Sequence, residues 1–206
     1  MNWIDGILIA ILLAMVIVGS KKGLIREFMA TLVIFVAIIV SVNYIDNFAV
    51  WLNQQLDVSP LVSAILAFVI LLAASYAAFK LLGLLFYKLA DIKKVGKRDQ
   101  MGGALVGFVR GWLAASFIVF LTFLMPMPDS YFVSFSESFF GPAIAKTIPV
   151  MFDNTSAVHP NTPTFMQQME ATLLNPEMSD TGNLTDDRQA VHQALRNLDL
   201  YFNPAP

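Results

Sequence analysis

Four runs of apolar residues, separated by short polar stretches, organise residues 1–127. From Ile7 to Val18 every residue is apolar. With Trp3 and Gly19-Ser20 as flanks this run is about 17 residues long, near the lower limit for a helix that crosses a bilayer. Phe28 to Val42 is apolar apart from Thr31 and Ser41, and Arg26 and Tyr44 mark its edges. The following Asn43–Ser59 reads as a polar loop, with Phe48 and Trp51 at the membrane surface. Ser59-Pro60 is a helix start, serine serving as N-cap and proline standing at the first helical position. Leu61 to Phe79 carries no charge and forms a third span; Lys80 interrupts, and Leu81–Tyr87 is apolar again. Gly111 to Met127 is the fourth, closed by Pro126 and Pro128.

Beyond Met127 the pattern changes. Tyr131, Phe132, Phe135, Phe139, Phe140, Ile144 and Ile148 recur near helical spacing, with Pro142 breaking the run. Such a piece either lies on the membrane surface or packs on the ends of the spans. Asn154–Pro163 reads as a linker. Thr162-Pro163 caps a short helix with Phe165, Met166, Met169 and Leu173, and Thr185-Asp186-Asp187 starts another with Val191, Leu195, Leu198 and Phe202. Each is too short to be stable alone. The expected organisation is therefore a four-helix transmembrane domain over residues 1–127, an aromatic interfacial segment over 128–153 and a polar tail over 154–206.

Within the first part, Asp99-Gln100-Met101-Gly102-Gly103-Ala104-Leu105-Val106-Gly107-Phe108-Val109-Arg110-Gly111 stands out. Gly103, Gly107 and Gly111 recur every fourth residue and fall on one helical stripe. Small-xxx-small steps of this kind let two backbones approach inside a membrane. Each glycine costs a soluble helix roughly 1 kcal/mol relative to alanine, so three in one stripe point to close helix packing.

Charge gives the stripe an orientation. The chain of 206 residues is 57% hydrophobic and 14% charged; soluble domains carry about 25% charged residues. Residues 1–125 hold ten Lys/Arg against six Asp/Glu, a balance of +4, and residues 126–206 hold three against nine, a balance of −6. Lys21, Lys22 and Arg26 crowd the first connection; Lys93, Lys94, Lys97 and Arg98 crowd the third, together with Lys88; the second has none. By the positive-inside rule the first and third connections face the cytoplasm and both termini lie outside. Measured from the outer face, spans of about 18–20 residues end near Ser20, Arg26, Lys80 and Arg110. Residues 81–87 and 100–109 are then left over as a cytoplasmic helical hairpin, its arms packed through Gly83 and the Gly103/Gly107 face. The absence of a basic stretch before Ile7 and of a small-residue cleavage site after Val18 makes the first run a retained span rather than a signal peptide.

Four further charges lie at the edges of the spans. Arg26 and Glu27 open the second, and Asp99 and Arg110 flank the glycines. Arg110 fits two placements: an ion pair inside the bundle with Glu27 or Asp99, or the commoner boundary arginine that snorkels to phosphate. Glu27 is equally a paired acid and a carboxylate favoured by the positive end of a helix. Lys80 reads as a snorkelling side chain, and Asp5 as a residue that caps or begins the first helix.

Catalytic and cofactor chemistry find no foothold. There is no cysteine, so disulfides and thiolate chemistry are excluded. His159 and His192 are far apart with no acid at ligand spacing, so no metal is expected. No G-x-S-x-G, P-loop or H-E-x-x-H occurs, and Gly102–Gly107 follows no strand, so it is not a dinucleotide loop. No basic patch on a soluble domain suggests nucleic acid. The reading is a non-enzyme without a cofactor.

Three stretches together resemble the colicin V production protein (CvpA) family. They are Trp3-Ile4-Asp5 before an apolar run, Gly19 with Lys22-Gly23-Leu24-Ile25-Arg26-Glu27, and Asp99 with Gly103, Gly107, Arg110 and Gly111. The last fits the family pattern D-x3-G-x3-G-x2-R-G in full. The middle one is similar to G-x2-R-G-F-x-R-E, with Lys22 for the first arginine and Leu24 for the phenylalanine. The resemblance covers about residues 1–125. It implies a multi-pass protein of the bacterial cytoplasmic membrane, linked to colicin V production and export and to envelope maintenance. Membrane lipid, export or envelope proteins and further copies of the chain are the expected partners. A non-enzymatic scaffold or accessory component is the first reading; a small homo-oligomeric channel or transporter, lined by the glycine helix and Ala114/Ala115, is the second.

Overall fold

Gly23 sets the arrangement of the long helices. It is the only residue between α1 (Trp3–Lys22) and α2 (Leu24–Leu56), and its φ of 84° lies where side chains other than hydrogen are disfavoured. So tight a turn splays α1 from α2, and α4 (Lys97–Leu124) fills the gap between them. α3 (Pro60–Leu89) packs chiefly on α2 and reaches α4 through Phe68, whose ring lies 5.4 Å from that of Phe117 and 4.8 Å from that of Phe120. The most extensive contacts among the four long helices thus run α1–α4–α2–α3. The computed structural model describes residues 2–89, 96–155, 163–179 and 184–202; at the helix ends 84–89 and 184–185 only the backbone is described.

All four are long and apolar enough to cross a membrane, over 20, 33 and 28 residues in α1, α2 and α4 and over the 24 residues Pro60–Gly83 of α3. The chain is an all-helical, multi-pass membrane protein. Two expectations change. Asn43–Leu56 is helix and not loop: α2 runs on through it to Asp57, whose left-handed φ of 51° ends the helix. Thirty-three residues span about 50 Å, well beyond a hydrocarbon core of about 30 Å, so the last turns of α2 stand clear of the apolar layer as a post. The expected hairpin packing also fails to form. Gly103 and Gly107 face α1, and among the described residues nothing stands within 4 Å of a Cβ added at Gly83. The glycine face is already used by a nearer helix. The turn of that hairpin, residues 90–95 with Lys93 and Lys94, lies outside the described residues.

The described residues beyond α4 cap one end of the long helices. α5 (Asp129–Ser136), α6 (Gly141–Ala145) and α7 (Thr147–Asn154) bury Phe132, Phe135, Ile144, Ile148 and Phe152 against the ends of the long helices. α8 (Phe165–Leu173) docks on the α2 post, and α9 (Leu184–Phe202) closes over α3 and α4. Thr164, and not Thr162, caps α8: its hydroxyl accepts from Gln167 N while Gln167 Oε1 accepts from Thr164 N. Phe123 of α4 is the centre of this cap, with the rings of Phe132, Phe135, Tyr201 and Phe202 at 4.8 to 5.2 Å. One apolar core runs without a break from the long helices into the short ones.

Two buried polar residues fasten the cap. Asp5 closes a capping box with Asn2 at the start of α1, and its Oδ1 also accepts from Ser138 Oγ at 2.6 Å, Phe139 N at 2.9 Å and Phe140 N at 3.1 Å. Asn53 on the α2 post donates to Val58 O and Ser179 O, and accepts from Ser179 N at 2.8 Å. We call this the capped end, and the opposite end, where α1 meets α2 and α4 begins, the basic end.

Candidate functional site

At the basic end the two motifs singled out in the sequence dock on each other, residue against residue. Gly19 and Gly23 are themselves four apart, and so present a small face on α1 and its turn to match that of α4. A Cβ at Gly103 would lie 2.4 Å from Gly19 O and 2.8 Å from Gly23 C, and one at Gly107 would lie 2.5 Å from Met15 O. Gly111 continues the stripe against the Met15 side chain. Contacts this short leave no room for any side chain, so the glycines are what allow α1 and α4 to touch backbone to backbone.

Asp99 stands at the entrance to this contact. Gly23, as N-cap of α2, has no side chain to satisfy the first amides of the helix. Asp99 supplies the missing acceptor from α4, its Oδ1 accepting from Leu24 N at 2.8 Å. The acid at the head of the glycine motif therefore caps a different helix.

Arg110 closes the other end. Asp99 to Arg110 is about 16 Å along the helix axis, and helical side chains lean toward their own N-terminus. The arginine stem accordingly runs back toward the basic end and reaches the first turn of α2. Its Nη1 lies 2.8 Å from Glu27 Oε1. Its Nη2 donates to Met15 Sδ at 3.2 Å. Glu27 is 0% exposed and Arg110 7%. Between the two placements open to Arg110, the structure pairs it inside the bundle with Glu27 rather than leaving it at the boundary. Lys22 Nζ approaches the other carboxylate oxygen at 3.9 Å and is half exposed. Neither Glu27 oxygen has an aligned hydrogen-bond donor among the described residues. The carboxylate is held by charge and by the positive end of α2 more than by directed bonds.

The remaining charges stay outside. Arg26 is exposed on α2, Lys21 is exposed at the end of α1, and Lys97 and Arg98 are exposed at the start of α4. Together they ring the buried pair with cations at one end of the protein. Met15 and the Leu24 amide were not legible as partners; the Gly19/Gly23 spacing was the available signal for the face opposite the stripe. His192 is exposed on α9, and His159 lies outside the described residues.

This arrangement joins three helices by one continuous strip of contacts: a cap, a glycine clamp and a buried ion pair. It presents no nucleophile and no acid–base pair open to a substrate. The chain matches no curated protein and no solved structure. A family model described as colicin V production protein matches residues 4–149, which extends the similarity past residue 125 into α5, α6 and the start of α7. Both docking segments lie inside that range, and the chain belongs to the colicin V production protein (CvpA) family.

Proposed function

We propose that this protein is a non-enzymatic scaffold of the bacterial inner membrane that serves bacteriocin production or export and envelope maintenance by holding partner proteins at its two ends. The capped end and both termini face outside, and the cation ring faces the cytoplasm. The observation that supports this reading is the Gly19–Gly103–Gly107 contact. A stripe that would have to line a conduction path is instead consumed by packing within one chain. Ala115, offered as part of the same lining, is fully buried. A channel built from this helix face would have to break this backbone-to-backbone contact. What is left for recognition is peripheral: exposed cations at one end and a cap of short acidic helices at the other.

The test is purification of the tagged full-length chain in mild detergent after crosslinking in cells, alongside ion and dye flux in proteoliposomes. Envelope or export proteins are expected to co-purify, and vesicles with and without the protein are expected to leak alike. A lone monomer with no crosslinked partner, or flux that Gly107→Leu abolishes while the protein stays inserted, would overturn the scaffold.

A further inference from the structure

The glycine clamp holds α1 against α4 in their basic-end halves only. Toward the capped end the facing residues become Leu8, Ile11, Ile118 and Val119, and a cavity of about 500 Å³ opens between the helices. Its walls are apolar. Its far end is closed by Met127, Pro128 and α5, where Ser130, Tyr131 and Ser134 line it. Ile7 and Ile118 line the cavity and are themselves exposed, so it opens sideways onto the surface that the long helices turn toward lipid. Along α1 it extends from Trp3 to Ile11, about 12 Å at 1.5 Å per residue. One leaflet of the hydrocarbon core is about 15 Å deep. The cleft is thus roughly as long as a leaflet is thick, lies within the span, and carries hydroxyls only at the end where headgroups begin.

We propose that this cleft holds one acyl chain of a membrane phospholipid, with the headgroup at the Ser130/Ser134/Tyr131 rim. Water finds too few polar partners on these walls to fill it, since a buried water needs two to four. The cleft is continuous with the lipid-facing surface, so a chain enters sideways without crossing a polar barrier. The gain over bulk lipid is not hydrophobic, because the bilayer is as apolar as the walls. It comes from dispersion contacts with fixed side chains and from hydrogen bonds at the rim. Ser130 and Ser134 are the donors available there, because Tyr131 spends its one hydroxyl proton on Thr122 Oγ1 at 2.6 Å while Thr122 donates to Val119 O. Such a site enriches a lipid and does not trap it.

The test places the full-length protein in nanodiscs doped with a phosphatidylcholine that carries a photoactivatable diazirine midway along one acyl chain. Adducts are then mapped by mass spectrometry. Labelling of Trp3–Ile11 and Ile118–Thr122 is expected to exceed that of Val69 and Ile70, equally apolar and exposed on α3, by about fivefold, an excess of roughly 1 kcal/mol. Ile7→Trp, which fills the cleft, is expected to bring the two regions level, and Ser130→Ala with Ser134→Ala to lower the excess in part. Uniform labelling of the wild-type protein along α1, α3 and α4 would overturn the proposal. So would disulfide formation between Ile7→Cys residues of two copies together with loss of lipid labelling, since the cleft would then belong to a dimer. The wild-type map decides the question even if Ile7→Trp fails to insert.

Discussion

Arg110 of α4 holds Glu27 of α2 at 2.8 Å, with both side chains sealed from solvent. A buried pair of this kind adds little over a well-packed apolar pair, but half of it is costly, because the survivor is left as an uncompensated buried charge. Arg110→Leu and Glu27→Leu are each expected to destabilise the protein by about 3–5 kcal/mol, and the double variant by much less than their sum. Thermal unfolding of the four proteins in one detergent gives the coupling directly. Additive losses would mean that the two residues do not act as a pair.

The glycine stripe makes a sharper steric claim. Gly107→Ala places a methyl group 2.5 Å from Met15 O, a backbone atom that cannot turn aside. Overpacking of this kind costs about 1–3 kcal/mol, and α1 and α4 must part to relieve it. Among the described residues Gly83→Ala meets nothing within 4 Å and is expected to stabilise α3 by about 0.5–1 kcal/mol through its better helix propensity. Melting temperatures that rank the two variants in the opposite order would show that α4 does not rest on α1 through this face.

The two cases show what the sequence made legible. Hydropathy located all four long helices, because lipid forces each span to satisfy its own backbone and to be apolar along its length. The fourfold spacing of Gly103, Gly107 and Gly111 announced a close contact. It did not announce the partner, which is Gly19 and not Gly83. Which helix stands beside which depends on the angle of the Gly23 turn, a long-range consequence of one dihedral. The far end of α2 departs from its local pattern for a related reason. Asn43–Leu56 is too polar for a span and reads as loop by hydropathy, yet its buried residues Ile45, Ala49, Leu52 and Asn53 repeat at helical spacing against the cap. Asp99 was visible as a charge at the membrane edge, but its acceptor role depends on Gly23 lacking a side chain 76 positions earlier in the chain.

That capping bond is itself open to test. Asp99→Ala is expected to cost about 1 kcal/mol, the usual loss when a helix N-cap acceptor is removed. Asp99→Asn keeps an acceptor and is expected to keep most of the stability. Amide exchange at Leu24–Phe28 reads the effect locally. Equal protection in Asp99→Ala and the unsubstituted protein would show that α2 does not depend on the bond.

Asn53 makes the corresponding claim for the cap. Its amide satisfies Ser179 in both directions from the α2 post, with 1% exposure. Asn53→Leu keeps the bulk but strands the Ser179 backbone groups, at a cost of about 1–3 kcal/mol. Exchange is expected to quicken across α8 and α9 and to stay unchanged along the α1–α4 contact. Slow exchange in α8 and α9 of the variant would assign their docking to the aromatic core alone.

The cation ring predicts the orientation of the whole assembly. Lys21, Lys22, Arg26, Lys97 and Arg98 gather at the basic end, while Asp129, Glu137 and Asp153 face one lysine, Lys146, in α5–α7 and their connections. Moving each positive charge across a membrane poised at 100 mV costs about 2.3 kcal/mol, and lysine and arginine near span ends set topology where acids contribute little. The basic end is therefore expected in the cytoplasm. The chain contains no cysteine, so single cysteines report without background. Glu137→Cys is expected to react with a membrane-impermeant maleimide in intact spheroplasts, and Lys21→Cys only after the membrane is opened. Lys21→Cys reacting first would invert the protein and move the cation ring, and any partner it recruits, to the other side of the membrane.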